Sequence, residues 1–220
     1  MLAENYKNVM NTITAAARRS GRDPAAIKLI AVTKTVGVSA VENAAALGMR
    51  DFGENRVQDA ALKVEKFPDF NWHFIGHLQS NKVKNVLPVY KLIHSLDRDS
   101  LAAALQERAE QLDITVNALV QVNVSGEDSK FGLSPARLPA FLMKLYSYDR
   151  IKVKGLMTMA PFVDDPEEAR PHFRHLHQLR DENVRPGMEL EELSMGMTND
   201  YEVAVEEGAT IVRIGSALFS

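Results

Sequence analysis

The chain has 220 residues and no cysteine. Disulfides and thiolate metal sites are thereby excluded. The composition suits a reducing compartment, so a cytoplasmic setting is expected. No run approaches the roughly 18 consecutive apolar residues of a membrane span. The opening stretch, Met1 to Met10, lacks the apolar segment of a secretory signal. Basic charge is not in excess: 26 Lys and Arg against 29 Asp and Glu leave −3, so there is no cationic field for nucleic acid. No low-complexity tract or Pro/Gly/Ser linker marks an internal boundary, and residues 1–220 read as a single domain. No His/Asp/Glu spacing points to a metal site. A hydrophobic fraction of 45% with 25% charged residues is that of an ordinary globular chain.

Leu2, Tyr6, Val9, Met10, Ile13 and Ala17 recur at the spacing of one helical face, which predicts an N-terminal helix over residues 2–19. A buried strand follows from Ile27 to Thr33, rich in Ile, Val and Ala, with Lys34 at its C-terminal end. From there helices and short strands alternate. The strands fall at Asp51–Gly53, Trp72–Ile75, Lys91–Leu96, Thr115–Val124, Ile151–Thr158, Glu192–Ser194 and Thr210–Ile214. Ser39 is placed to cap the second helix, Asp97 or Asp99 a later one, and Thr198-Asn199-Asp200 to open another. Eight βα units in one chain argue for an α/β fold, a (β/α)₈ TIM barrel with an extra N-terminal helix over 1–20. A doubly wound open sheet is the alternative. It usually carries a glycine-rich turn after its first strand, and here that place holds Thr33-Lys34-Thr35.

Active residues of such barrels sit at the C-terminal strand ends. Those ends read Lys34, Asn55, His77, Ser95, Asn123, Met157, Ser194 and Arg213. The loops after strands seven and eight often bind phosphate. One is Ser194-Met-Gly-Met-Thr198-Asn-Asp200; the other is Arg213-Ile-Gly215-Ser216. Both offer hydroxyls and a glycine that admits close backbone approach. In a closed barrel Lys34 lies beside Arg213. A strand-tip lysine can simply snorkel to solvent. Beside a phosphate cradle it suits a Schiff base to a phosphorylated aldehyde. Two classes stay open on the residues: a pyridoxal phosphate protein, or a phosphosugar aldolase. His73, His172, His175 and His177 read as core or surface.

The chain also resembles a known family, the YggS/PROSC pyridoxal phosphate homeostasis proteins. The matching stretches are Ala31-Val-Thr-Lys34-Thr, Asp51-Phe-Gly-Glu-Asn55, Phe74-Ile-Gly-His-Leu-Gln-Ser-Asn-Lys82, Val122-Asn-Val-Ser-Gly-Glu127, Gly155-Leu-Met157, Leu193-Ser-Met-Gly-Met197 and Val212-Arg-Ile-Gly-Ser216. The resemblance implies a barrel similar to the alanine racemase N-terminal domain, with pyridoxal 5′-phosphate as a Schiff base on Lys34. It places the phosphate contacts on Ser194, Gly215 and Ser216, the ring-nitrogen contact on Arg213, and Asn55 near the cofactor. The last helix is expected to be short or absent, with the N-terminal helix covering that side. Racemisation needs a base on each cofactor face, and none of Tyr6, Tyr90, Tyr146, Tyr148 or Tyr201 falls at a strand tip. The expected role is therefore a monomeric, non-catalytic carrier in vitamin B6 homeostasis, with pyridoxal phosphate-dependent apo-enzymes as recipients. An amino-acid racemase is the second reading and a Schiff-base aldolase the third.

Overall fold

The computed structural model describes residues 1–127 and 129–220. Eight parallel strands close into a barrel in chain order. They are β1 (Lys28–Val32), β2 (Asp51–Glu54), β3 (Asn71–Phe74), β4 (Leu92–Leu96), β5 (Val116–Gln121), β6 (Ile151–Met157), β7 (Glu192–Ser194) and β8 (Ile211–Ile214). Pairing of β1 with β8 closes the ring and sets Ile30 opposite Arg213 and Ala31 opposite Ile214. The expected barrel is the observed one.

Strand alternation sorts the side chains into two cores. Ala31, Phe52, Trp72, Ile93, Val120, Leu156, Leu193 and Val212 face outward into the main core under the helices. Ile30, Leu92, Leu119, Met157 and Ile211 form a separate apolar cluster inside the barrel. The inward positions between and beside them carry His73, His94, Ser194 and Arg213, all buried.

The helices are α1 (Leu2–Arg19), α2 (Val38–Ala46), α3 (Val57–Lys66), α4 (Val83–Val86), α5 (Asp99–Leu112), α6 (Leu138–Tyr146), α7 (Arg170–Asn183), α8 (Tyr201–Glu206) and α9 (Ser216–Phe219). The last is only four residues long. Helix α1 stands outside the βα repeat. Its Val9, Ile13, Ala16 and Ala17 are buried, and Leu2, Tyr6 and Met10 pack beside them. The Asn5 amide donates to the carbonyls of Leu218 (3.0 Å) and Ser220 (3.1 Å). Arg19 pairs with Glu202 and Glu206 of α8. The N-terminal helix thus packs across α8 and α9 on one side of the barrel.

Three expected caps differ. Helix α2 begins one residue before Ser39, because the extended residue at its N-cap is Gly37. Arg98 precedes α5, and the Asp97 carboxylate is taken by the Arg98 guanidinium at 2.6 Å instead of by backbone. Thr198 to Asp200 stay outside α8. There the Asp200 carboxylate accepts from the Met197 N–H at 2.6 Å, which folds the loop back on itself.

Candidate functional site

A cavity of about 670 Å³ opens at the C-terminal ends of the strands, a size usual for small-molecule sites. Lys34, in the turn after β1, is exposed at its wall. Its amine makes no hydrogen bond or ion pair among the described residues. The turn beneath it is held tightly. Glu54, at the end of β2, accepts from the Thr33 hydroxyl (2.6 Å) and from the Lys63 ammonium (2.7 Å). Lys63 also donates to the Thr33 carbonyl at 2.6 Å. All three residues are buried.

Asn55 follows Glu54 into the cavity wall. The end of β3 packs against its backbone at Gly76, where a Cβ would stand 2.3 Å from the Asn55 carbonyl oxygen. Only glycine permits that approach. Arg213 lies deeper, at the level of Ile30, and is 3% exposed. Burial pushes its guanidinium down to about 10, with Asp200 offsetting part of that effect, so it remains a cation at neutral pH. It donates to Ser194 Oγ (2.6 Å) and to the Thr158 carbonyl (2.9 Å). On the β7–β8 side Thr198, Gly215 and Ser216 share the wall. Ser216 Oγ donates to Thr198 Oγ1 at 3.2 Å, and the Ala217 N–H reaches the same oxygen at 3.3 Å.

Of the eight strand-end residues expected in the polar ring, Lys34, Asn55, His77 and Arg213 line the cavity. Ser95, Asn123, Met157 and Ser194 do not. Met157 packs inside the barrel. Asn123 braces its own loop, donating to the Glu127 carbonyl and accepting from Ser125 and Gly126. Ser194, an expected phosphate contact, does not reach the cavity wall. It is the last residue of β7, points into the barrel and is 0% exposed. Its hydroxyl is engaged by Arg213 and by His94 Nδ1 at 2.9 Å. The hydroxyl that does reach the wall on this side belongs to Thr198, four residues further on.

Across the mouth from β1 the wall turns apolar. Phe131, Met159, Ala160, Pro161 and Phe162 line it, with Met197 between. Phe131 stacks on the His77 imidazole with centroids 3.9 Å apart. Burial lowers the His77 pKa, against the raising pull of Asp97 at 3.7 Å. Asp200 is also in the wall, its pKa raised by burial. Among the described residues no cluster of three or more His, Asp or Glu could hold a metal ion, and no helix is long and apolar enough to cross a membrane.

The model of the alanine racemase N-terminal domain family matches residues 2–220. The chain belongs to that family. Within the family, a pyridoxal phosphate homeostasis protein of Aquifex aeolicus is 44% identical over 219 residues, covering 98% of this chain and 96% of the relative. A protein of the same name from Pseudomonas aeruginosa is 42% identical over 220 residues, 99% of this chain and 94% of the relative. The solved structure of PipY from Synechococcus elongatus with pyridoxal phosphate bound has a TM-score of 0.85 and 35% identity, with 100% of each chain covered. Alanine racemase of Clostridium difficile shares the fold alone, at TM-score 0.75 and 13% identity. There 99% of this chain covers 56% of that one.

Proposed function

We propose that this protein binds pyridoxal 5′-phosphate and works in its homeostasis as a carrier without robust turnover. The reading rests on one cavity in which an unpartnered lysine, a buried arginine and a pair of loop hydroxyls converge. It is supported by relatives named for pyridoxal phosphate homeostasis and by the cofactor-bound PipY structure. When bound, the cofactor supplies an aldehyde reactive toward amines, a phosphate and a pyridine nitrogen. The residues present fit each part. Lys34 offers a free amine for Schiff-base attachment. Gly215, Ser216 and Thr198 offer backbone and hydroxyl donors to the phosphate. Arg213 would bring a fixed cation toward the ring nitrogen and so disfavour its protonation, which would make the bound ring a poorer electron sink. Asn55 borders the same space.

Racemisation needs proton-transfer groups on both faces of the cofactor. Lys34 serves one face. The facing wall is Phe131, Met159, Pro161 and Phe162, none of which carries a proton. Asp200 is tied to the Met197 N–H. His77, a neutral base stacked on Phe131, is the one observation that favours the racemase reading. Exposed Phe131 (52%) and Phe162 (82%) at the rim fit a protein that meets apo-enzymes in order to pass the cofactor on.

Borohydride reduction of the native protein followed by mass spectrometry tests the assignment. A pyridoxyl mass on Lys34 is expected, and its loss in Lys34→Ala. The same adduct on Lys34→Ala would sink the lysine assignment. Fast release of D-alanine from L-alanine, abolished by His77→Phe, would overturn the carrier reading.

A further inference from the structure

Three buried side chains, His73, His94 and Ser194, and the part-exposed Asp51 join Arg213 to the opposite end of the barrel. Asp51, the first residue of β2, has Oδ1 3.0 Å from His73 Nε2. His73 Nδ1 lies 3.1 Å from His94 Nε2. His94 Nδ1 lies 2.9 Å from Ser194 Oγ, which in turn accepts from Arg213 Nη1 at 2.6 Å. The Asp51 end borders a second cavity of about 300 Å³, at the N-terminal mouth, together with His73, Lys28, Lys91 and Glu192. The Arg213 end borders the cofactor cavity.

The two ends fix every proton between them. A guanidinium only donates and an ionised carboxylate only accepts. His73 Nε2 therefore carries a hydrogen toward Asp51. Burial, the largest effect, holds the His94 pKa well below its usual value, so its imidazole is neutral. Ser194 already accepts from Arg213, so its own hydrogen goes to His94 Nδ1, and the neutral His94 donates from Nε2 to His73 Nδ1. Ser194 then has its lone pairs free for Arg213. The reverse order would give Ser194 two incoming donors and leave its own hydrogen buried without an acceptor, which is costly.

We propose that Asp51, His73, His94 and Ser194 form a one-way hydrogen-bonded chain through the barrel, which makes Asp51 a positioning residue for Arg213 from the opposite mouth. The chain holds Nη1, and the Thr158 carbonyl holds Nη2, so the guanidinium has one orientation toward the cavity. This inference rests on the reading that Arg213 meets the cofactor ring nitrogen.

Long-range ¹H–¹⁵N NMR of the cofactor-free protein reads the ring nitrogens directly. His73 and His94 are expected as neutral Nε2–H tautomers; a protonated Nδ1 on His94 reverses the chain and overturns the proposal. Asp51→Ala, at the part-exposed end, leaves the apolar cores untouched. In the pyridoxal phosphate-loaded protein it is expected to weaken cofactor binding about fivefold, the worth of one hydrogen bond. It should also move the absorbance band of the bound cofactor in the same direction as Arg213→Lys. A shifted band in Arg213→Lys beside unchanged band and affinity in Asp51→Ala refutes the relay and leaves the cofactor reading standing. An unchanged band in both refutes the placement of Arg213 itself.

Discussion

Replacing Lys63 by methionine keeps the aliphatic stem in its buried slot and removes the ammonium. Glu54 is 0% exposed and Lys63 4%, so the carboxylate left behind has no water to turn to. It keeps one donor, the Thr33 hydroxyl at 2.6 Å, while its second oxygen already has no partner. Removing one member of a buried pair costs about 3–5 kcal/mol, because the remaining charge is uncompensated. For a chain of this length that is a fall of roughly 6–20 °C in Tm, at about 2–4 °C per kcal/mol. The loss reaches the site as well. Lys63 donates to the Thr33 carbonyl, the peptide oxygen directly before Lys34, so a freed turn presents the Lys34 amine in more than one place. Urea denaturation and a cofactor titration of Lys63→Met check both consequences. The double variant Lys63→Met/Glu54→Leu removes the stranded charge and is expected to recover at least half of the lost stability, since apolar replacements of buried pairs are often neutral. A loss below about 1 kcal/mol in the single variant, the value of a solvated pair, would refute the reasoning. So would a double variant less stable than the single one.

Two further outcomes follow from the site and its buried histidine. Thr198→Val preserves shape and deletes the hydroxyl; if Thr198 rather than Ser194 serves the phosphate, cofactor affinity measured by fluorescence titration falls about tenfold, the effect of one charge-assisted hydrogen bond. Stability followed by urea unfolding against pH is expected to fall in two windows. His94 is held neutral by burial, so below its unfolded value of about 6.5 only the unfolded chain gains the proton, and stability drops by up to about 1.4 kcal/mol per pH unit. Glu206 has its pKa lowered, chiefly by the Arg170 hydrogen bond; its contribution is complete above the ordinary carboxylate value and is lost as pH falls through the depressed one. A flat profile between pH 7 and 5 contradicts the neutral His94.

The barrel was legible because each strand announces itself locally. The run Leu29 to Val32 is apolar, its helix is punctuated by Gly48, and the pattern repeats until Ile214. The face of α1 was legible for the same reason. Lys34, Asn55, Arg213, Gly215 and Ser216 were singled out because barrel chemistry sits at strand ends and in the loops after them, and all five line the cavity. The burial of Ser194 was not legible because a strand end alone does not say which way its last side chain points; register does, and register is a tertiary property. Thr198 read equally well as a helix opener. The helix begins at Tyr201, which frees the threonine for the wall. His73 read as ordinary core since its partners lie 21 residues away on β4 and 22 away on β2, while the Ser194 partner of His94 is 100 residues off. No local spacing encodes such a chain.

Stability alone does not account for what fills this barrel. Barrel interiors are commonly layers of branched apolar side chains, and one such cluster is present in Ile30, Leu92, Leu119, Met157 and Ile211. Beside it the interior holds two imidazoles, a hydroxyl and a guanidinium. Buried polar networks of this kind are often no more stabilising than apolar replacements of the same volume. Their presence therefore has to be explained by Arg213. A cation buried to this depth already has its pKa pulled down to about 10 and must be given acceptors. Ser194 can be one only if its hydrogen goes elsewhere, which requires His94, which requires His73, which requires Asp51. The proposed cofactor reading supplies a reason to keep a fixed cation at that depth: Lys34 would tether the ligand, and Arg213 below would set what the ring can do. On this account the unusual interior is the support of one guanidinium, and the proposed carrier character would be decided as much beneath the cavity as at its mouth.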